Sequence, residues 1–221
     1  MKKVNNTMRT LIAGIFMFFA FAKAIPAQAQ SSKADALLKE VTAKYKSYNN
    51  LTFNYKANLR NDKAKQNMDI QGDAILSGEK YHVTFMGSTL IYDGSKLYNI
   101  NSEDEQVTIS SQSKNDMGIS PSNILTFYEK GYTRSWDIEQ NVRGRKVQYV
   151  KLVPIKSDSD YKQVLLGIDT NTKHIYNAII TERSGTVITF TMSSLKTNTT
   201  IPKSSFSFNS KDYDGWDIER L

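Results

Sequence analysis

The sequence predicts a mainly β domain of the α+β class: one long, curved, antiparallel sheet with two amphipathic helices to cover it. Three observations carry that prediction. Eleven segments between residues 51 and 195 alternate or run apolar over strand-like lengths. The connections between them are short and rich in turn residues, which leaves no room for parallel crossovers. Two further stretches, 32–48 and 120–131, carry helix signals instead.

The first thirty residues read as an export signal. Lys2, Lys3 and Arg9 give a basic start, Leu11 to Ala22 an apolar run, and Ala27-Gln28-Ala29 a small-residue cleavage site. A membrane anchor is the competing reading. Twelve residues at ~1.5 Å rise cover ~18 Å, short of a ~30 Å hydrocarbon core, so cleavage after Ala29 is expected. No cysteine follows the run, so the signal is not of the lipoprotein type, and the mature protein is expected to be free in the periplasm.

Behind the signal, Ser32-Lys33-Ala34-Asp35 has capping-box spacing. Leu38, Val41, Tyr45 and Tyr48 then fall on one helical face, and Asn49-Asn50 ends the helix. From Leu51 to Arg60 every second residue is apolar, the mark of a strand with one wet face and one dry. Further strands are expected at 67–76, 79–86, 88–93, 96–100, 105–110, 132–140, 145–153, 162–169, 173–182 and 185–195. Turns at Asp93-Gly94, Arg143-Gly144, Asp169-Thr170-Asn171 and Ser184-Gly185 separate several of them. Between 110 and 132 the pattern changes. Ser120 is a good N-cap, Pro121 suits the first helical position and Gly131 a left-handed C-cap, enclosing Ile124, Leu125, Phe127 and Tyr128. No linker or repeat divides the chain, so residues 30–221 are expected to form a single domain.

A twisted sheet of about eleven strands tends to curl or close. Its expected dry face carries Phe53, Tyr55, Tyr81, Val83, Phe85, Leu90, Ile100, Trp136, Ile188, Phe190 and Met192. Those side chains either make an ordinary core or line an apolar cavity lidded by the two helices.

Composition narrows the chemistry. The 221 residues carry 29 Lys plus Arg against 22 Asp plus Glu, a formal charge of +7. Lys2, Lys3, Arg9 and Lys23 leave with residues 1–29 and no acid does, so 25 bases face 22 acids and the mature charge is +3. A nucleic-acid partner is therefore not expected. With no cysteine and two histidines, His82 and His174, disulfides, thiol nucleophiles, zinc–thiolate sites and three-histidine metal sites are excluded. No phosphate-binding glycine loop, calcium loop or triad order occurs, and Glu103-Asp104-Glu105 reads as a solvated hairpin end. No cofactor and no enzymatic activity are expected.

At four places the chain resembles the LolA family of periplasmic carriers of outer-membrane lipoproteins, in its divergent branch. Gly72-Asp73-Ala74-Ile75-Leu76 with Lys80-Tyr81 is similar to the family's early strand pair. Leu90-Ile91-Tyr92-Asp93-Gly94-Ser95-Lys96-Leu97-Tyr98, followed by Glu105-Gln106-Val107, is similar to its most recognisable stretch. The segment from Ser120-Pro121 to Gly131 occupies the place of its mid-chain helix. Phe206-Ser207-Phe208 with Tyr213-Asp214-Gly215 and Asp217 is similar to its C-terminal signature.

The resemblance implies an incomplete β-barrel with a helical lid over an apolar cavity that holds the acyl chains of a lipoprotein. It implies acylated lipoproteins as cargo, an ATP-driven (ABC-type) releasing complex of the inner membrane as donor, an outer-membrane acceptor, and a monomeric carrier. Leu38, Val41 and Tyr45 of the first helix, with Ile124, Leu125 and Tyr128 of the second, would line the lid. Phe53, Tyr55, Val83, Phe85, Leu90, Trp136 and Phe190 would line the cavity, Phe85 standing where the family often has a tryptophan. The family's lid-latching arginine, followed by proline, is absent from the corresponding stretch, Ser77-Gly78-Glu79-Lys80. A module binding or sensing another lipid on the same scaffold is the alternative, because fold does not fix cargo.

Overall fold

The computed structural model describes residues 27–111 and 123–221. Most of the expected signal segment, and the Ser120-Pro121 helix start, lie outside the described residues.

Helix α1 spans Ala27–Lys46. It begins ahead of Ser32, so Ser32 does not cap it as expected. Its hydroxyl instead donates to the Gln28 carbonyl one turn back, 3.0 Å away. Ala34, Leu37, Leu38, Val41 and Tyr45 recur at helical spacing and are all buried. Lys44 and Lys46 stand in the last turn, where cations favour the negative end of the helix dipole.

Among the described residues twelve strands follow: β1 Leu51–Asn61, β2 Gln66–Ser77, β3 Lys80–Phe85, β4 Ser88–Tyr92, β5 Lys96–Asn101, β6 Gln106–Ser111, β7 Tyr132–Val142, β8 Arg145–Pro154, β9 Tyr161–Asp169, β10 Ile175–Glu182, β11 Val187–Thr197 and β12 Asp217–Arg220. All belong to one sheet in the order β12-β6-β5-β4-β3-β2-β1-β11-β10-β9-β8-β7. Two meanders, β1 to β6 and β7 to β11, are sewn together where β1 pairs antiparallel with β11. The sheet is open: β12 and β7 are its two edges.

Three further expectations need correction. The sheet is not wholly antiparallel, because β12 adds to β6 in parallel, Ile218 beside Val107. That strand follows a loop rather than a hairpin, so no turn signal announces it. The mid-chain helix, and with it a lid of two helices, is not found: among the described residues α1 is the single α-helix. Residues 123–126 turn, Phe127–Glu129 makes one 3₁₀ turn, and Lys130 is already extended. Aromatic Phe127 and Tyr128 and β-branched Thr126 are indifferent helix formers, so local propensity adds little to hold such a short stretch. Finally, Ile100 does not share a face with Leu90. It lies opposite Thr89, one residue out of phase.

Two cores result. Tyr128, Val150, Leu152, Val164, Leu166 and Ile168 are almost wholly buried in the larger one, with α1 against the same face. The smaller one lies on the opposite face, where Ile91, Ile100, Val107 and Ile109 meet Phe208, Tyr213, Trp216 and Ile218. Phe208 stacks on Tyr98 and Tyr213, with ring centroids 4.9 Å and 5.2 Å apart. The C-terminal segment is thus a strap that dries the outer face of β4 to β6. The unbroken apolar run Leu90-Ile91-Tyr92 suits a strand buried on both faces.

Candidate functional site

The inner face of the sheet gathers all thirteen expected site residues. Leu38, Val41, Tyr45, Phe53, Tyr55, Val83, Leu125 and Tyr128 are buried in the larger core, while Phe85, Leu90, Ile124, Trp136 and Phe190 pack half-buried against it. Register explains the convergence. Phe53 faces Ala74 and Leu195 across β1, Ala74 faces Val83, and Val83 faces Leu90. On the other side Ala57 faces Phe190, and Trp136 faces Val150. Side chains in directly opposed positions share a face, so the chain of pairings carries one parity across the sheet.

This face has a covered part and an open part. In the covered part Leu152 and Val164 are wholly buried and Phe53 nearly so. Beyond it, Ile70, Phe85, Leu90, Ile188 and Phe190 stay half-exposed, and Met68 is 46% exposed. Tyr55 stands between the two parts, stacked on Phe190 with centroids 5.2 Å apart and planes 27° from parallel. Its hydroxyl donates to the Thr84 carbonyl at 2.9 Å. That bond lies where the β2–β3 ladder stops at Ala74 and Val83 although both strands continue. An open cleft of about 570 Å³ lies there, lined by Tyr55, Gly72 and Phe85 but also by Asn54, Lys56, Gln71, Asp73 and Thr84 of the opposite parity. Tyr55→Phe is expected to cost about 1 kcal/mol in urea unfolding, the worth of one such bond, with the ring stack retained.

The α1 cover is fastened by polar groups that the sequence reading did not single out. Arg134, inward-facing on β7, forms an ion pair with Asp35 of α1 at 3.0 Å. The same guanidinium donates to the carbonyls of Tyr128, at 3.2 Å, and of Glu129. One side chain therefore ties α1, β7 and the 3₁₀ turn together. A signal was available: Arg134 shares strand parity with Tyr132 and Trp136, a cation in an otherwise apolar row. Thr42 and Tyr128 share a hydroxyl–hydroxyl bond of 3.2 Å. Burial pushes the Tyr128 phenol up to about 12, so it stays neutral at any physiological pH.

A second cleft, of about 510 Å³, opens beside the start of β7. Phe127, Tyr132, Pro154 and Tyr161 wall it, and Lys130, Lys156, Asp158 and Asp160 stand at it. Among the described residues no three His, Asp or Glu side chains are grouped so as to hold a metal ion. No helix among them is long and apolar enough to cross a membrane.

Comparison with known proteins bears on this geometry. The model of the family described as outer membrane lipoprotein carrier protein LolA matches residues 86–209, more than half of the chain. No curated protein matches the sequence. Among solved structures, an uncharacterized conserved protein from Thermus thermophilus shares the fold at a TM-score of 0.58 and 9% identity, over 86% of this chain and 99% of that one. A LolA superfamily protein from Nitrosomonas europaea is similar at a TM-score of 0.43 and 13% identity, over 79% and 97% of the two chains. The Mycobacterium tuberculosis lipoprotein LppX is similar at a TM-score of 0.46 and 14% identity, over 76% and 98%.

Proposed function

Because the chain belongs to the LolA family of outer-membrane lipoprotein carriers, we propose that it binds the acyl chains of lipoproteins on the inner face of its sheet and shuttles them from the inner to the outer membrane. The observation that carries this reading is the half-exposed aromatic and aliphatic surface around Tyr55, Phe85 and Phe190, continuous with the core under α1. An acyl chain exposed to water costs ~0.8 kcal/mol per CH₂, hence over ~10 kcal/mol for one long chain. Only an apolar surface shielded from water offsets a term of that size.

The carrier works as a free periplasmic monomer of residues 30–221, exported by a cleaved signal at residues 1–29. It takes cargo from an inner-membrane ABC-type releasing complex and hands it to an outer-membrane acceptor, without catalysis or cofactor. Leu38, Val41, Tyr45, Ile124, Leu125 and Tyr128 serve as the cover. Phe53, Tyr55, Val83, Phe85, Leu90, Trp136 and Phe190 serve as the lining. Arg134 takes the fastening role of the arginine missing at 77–80. Release demands that the cover exchange its own packing for cargo packing with little net gain.

Native mass spectrometry of the protein taken from its own periplasm tests this. Adducts of acylated polypeptides are expected, reduced at least about tenfold in Phe190→Asp, since a carboxylate against an acyl chain forfeits well over 1.4 kcal/mol. Adducts of free lipid alone transfer the site to another lipid ligand, and no adduct removes the carrier role.

A further inference from the structure

The C-terminal end of α1 is held by the β9–β10 turn through three consecutive residues. Lys173 forms an ion pair with Glu40 at 2.8 Å. The Ile175 N–H donates to the buried Tyr45 hydroxyl at 2.9 Å. Between them, His174 Nε2 lies 2.8 Å from the Tyr48 hydroxyl. The rings of Tyr45, Tyr48 and His174 form a closed triangle, with centroids 5.8, 5.9 and 6.3 Å apart. With its proton on Nδ1, a neutral His174 accepts the Tyr48 proton at Nε2; a protonated ring can only donate there, so the bond must reverse and the Tyr48 hydroxyl must turn its own proton away from the ring.

The surroundings of His174 favour the neutral form. From α1, the Lys44 ammonium lies 5.9 Å from the Tyr48 ring centroid. Lys173 is its chain neighbour. A small cleft of about 190 Å³ beside His174 brings Arg145 and Asp169 to it, and β11 adds uncharged Met192, Ser193, Ser194 and Leu195. Asp169 is the one acid here, and it already serves Arg145 at 3.8 Å and the backbone N–H groups of Asn171 and Thr172.

We propose that His174 makes the docking of the C-terminal end of α1 depend on pH: on acidification the ring takes a proton, its acceptance of the Tyr48 hydrogen bond ends, and the helix end lifts from the β9–β10 turn. Burial first, and Lys44 second, hold the docked His174 below its ordinary 6.5, with Asp169 opposing them. A freed helix end returns the ring to that ordinary value, so protons bind the undocked form more tightly. Docking is therefore at full strength above about pH 6.5 and weakens as pH falls below it. In a carrier, the released end uncovers the inner face. That consequence rests on the carriage reading, whereas the switch itself does not.

Hydrogen–deuterium exchange of the full chain at pH 7.5, 6.5 and 5.5, corrected for intrinsic rates, tests the switch. Residues 38–48 are expected to lose protection by about threefold or more at pH 5.5, while residues 147–153 of β8 are unchanged. His174→Gln, which cannot charge, should abolish the difference. Lys44→Gln keeps the histidine but removes a cation that opposes its charging while docked, so the loss of protection at pH 5.5 should shrink. Uniform loss of protection, or a pH response that survives in His174→Gln, overturns the proposal. So does a loss of protection undiminished in Lys44→Gln. A dansylated fatty acid followed over the same range separates the two readings. If it never binds while the exchange response persists, carriage of acyl chains fails and the switch stands. If it binds and is released in step with the exchange, both stand.

Discussion

Gly72→Ala is expected to cost the fold about 3 kcal/mol or more, near the upper end of what overpacking does. A Cβ on Gly72 would sit 1.8 Å from the Thr84 carbonyl oxygen and 2.8 Å from the Tyr55 hydroxyl. The first is backbone, so no rotamer change relieves it, and β2 must move away from β3. That shift would also break the Tyr55–Thr84 bond and loosen the ring stacked on Phe190. Gly144→Ala is the comparison. It adds a methyl in open space and strains only a backbone φ of +80°, which costs about 1 kcal/mol. Urea unfolding of both variants measures the difference. If Gly72→Ala costs no more than Gly144→Ala, the close approach of β2 to Thr84 is wrong.

Arg134→Met is expected to cost about 2–3 kcal/mol and to speed release of a bound fatty acid about tenfold. The methionine keeps much of the side chain's packing. What is lost is the donor set: the Tyr128 and Glu129 carbonyls and the Asp35 carboxylate lose their partner together. The carbonyls dominate. A partly buried group left unsatisfied costs about 1–3 kcal/mol, while the Asp35 side chain is 48% exposed and its pair adds about 1 kcal/mol at most. Asp35→Asn should accordingly have a small effect on both stability and release. Stopped-flow displacement of a fluorescent fatty acid checks the rates, and equal effects of the two variants would assign the fastening to the ion pair instead.

Most of the sheet was legible because period two is a strong local signal. Leu51 to Arg60 alternates without a fault, and Arg143-Gly144 marks its hairpin plainly, with both residues at positive φ. The shared inner face was legible for the same reason, since the parity that buries Phe53 and Val83 also puts the half-exposed Phe190 on their side of the sheet. What failed depends on distant partners. Ile100 reads as inward only until the C-terminal strap is known to cover the outer face. β12 has one apolar residue, Ile218, and exists because β6 offers it a free edge. Ser32 has the right neighbours for a cap, but the helix runs on ahead of it. Residues 123–131 have apolar spacing for a helix, yet Leu125 and Tyr128 are buried in the core from a turn. Arg134 was passed over because a charge within a strand ordinarily faces water, and only the assembled site shows it serving two carbonyls and a carboxylate.

Adjacent positions on β11 offer the most direct test of carriage on the inner face. Phe190 packs against the inner-face core, whereas Thr189 next to it points to the other face. A benzoylphenylalanine placed at 190 or at 189 in the exported protein, irradiated in intact cells, reports what each face touches. Carriage of lipoproteins requires crosslinks to acylated polypeptides from position 190, with position 189 giving at least about tenfold fewer. Crosslinks of equal yield from both positions, or acylated polypeptides captured only from 189, would contradict it.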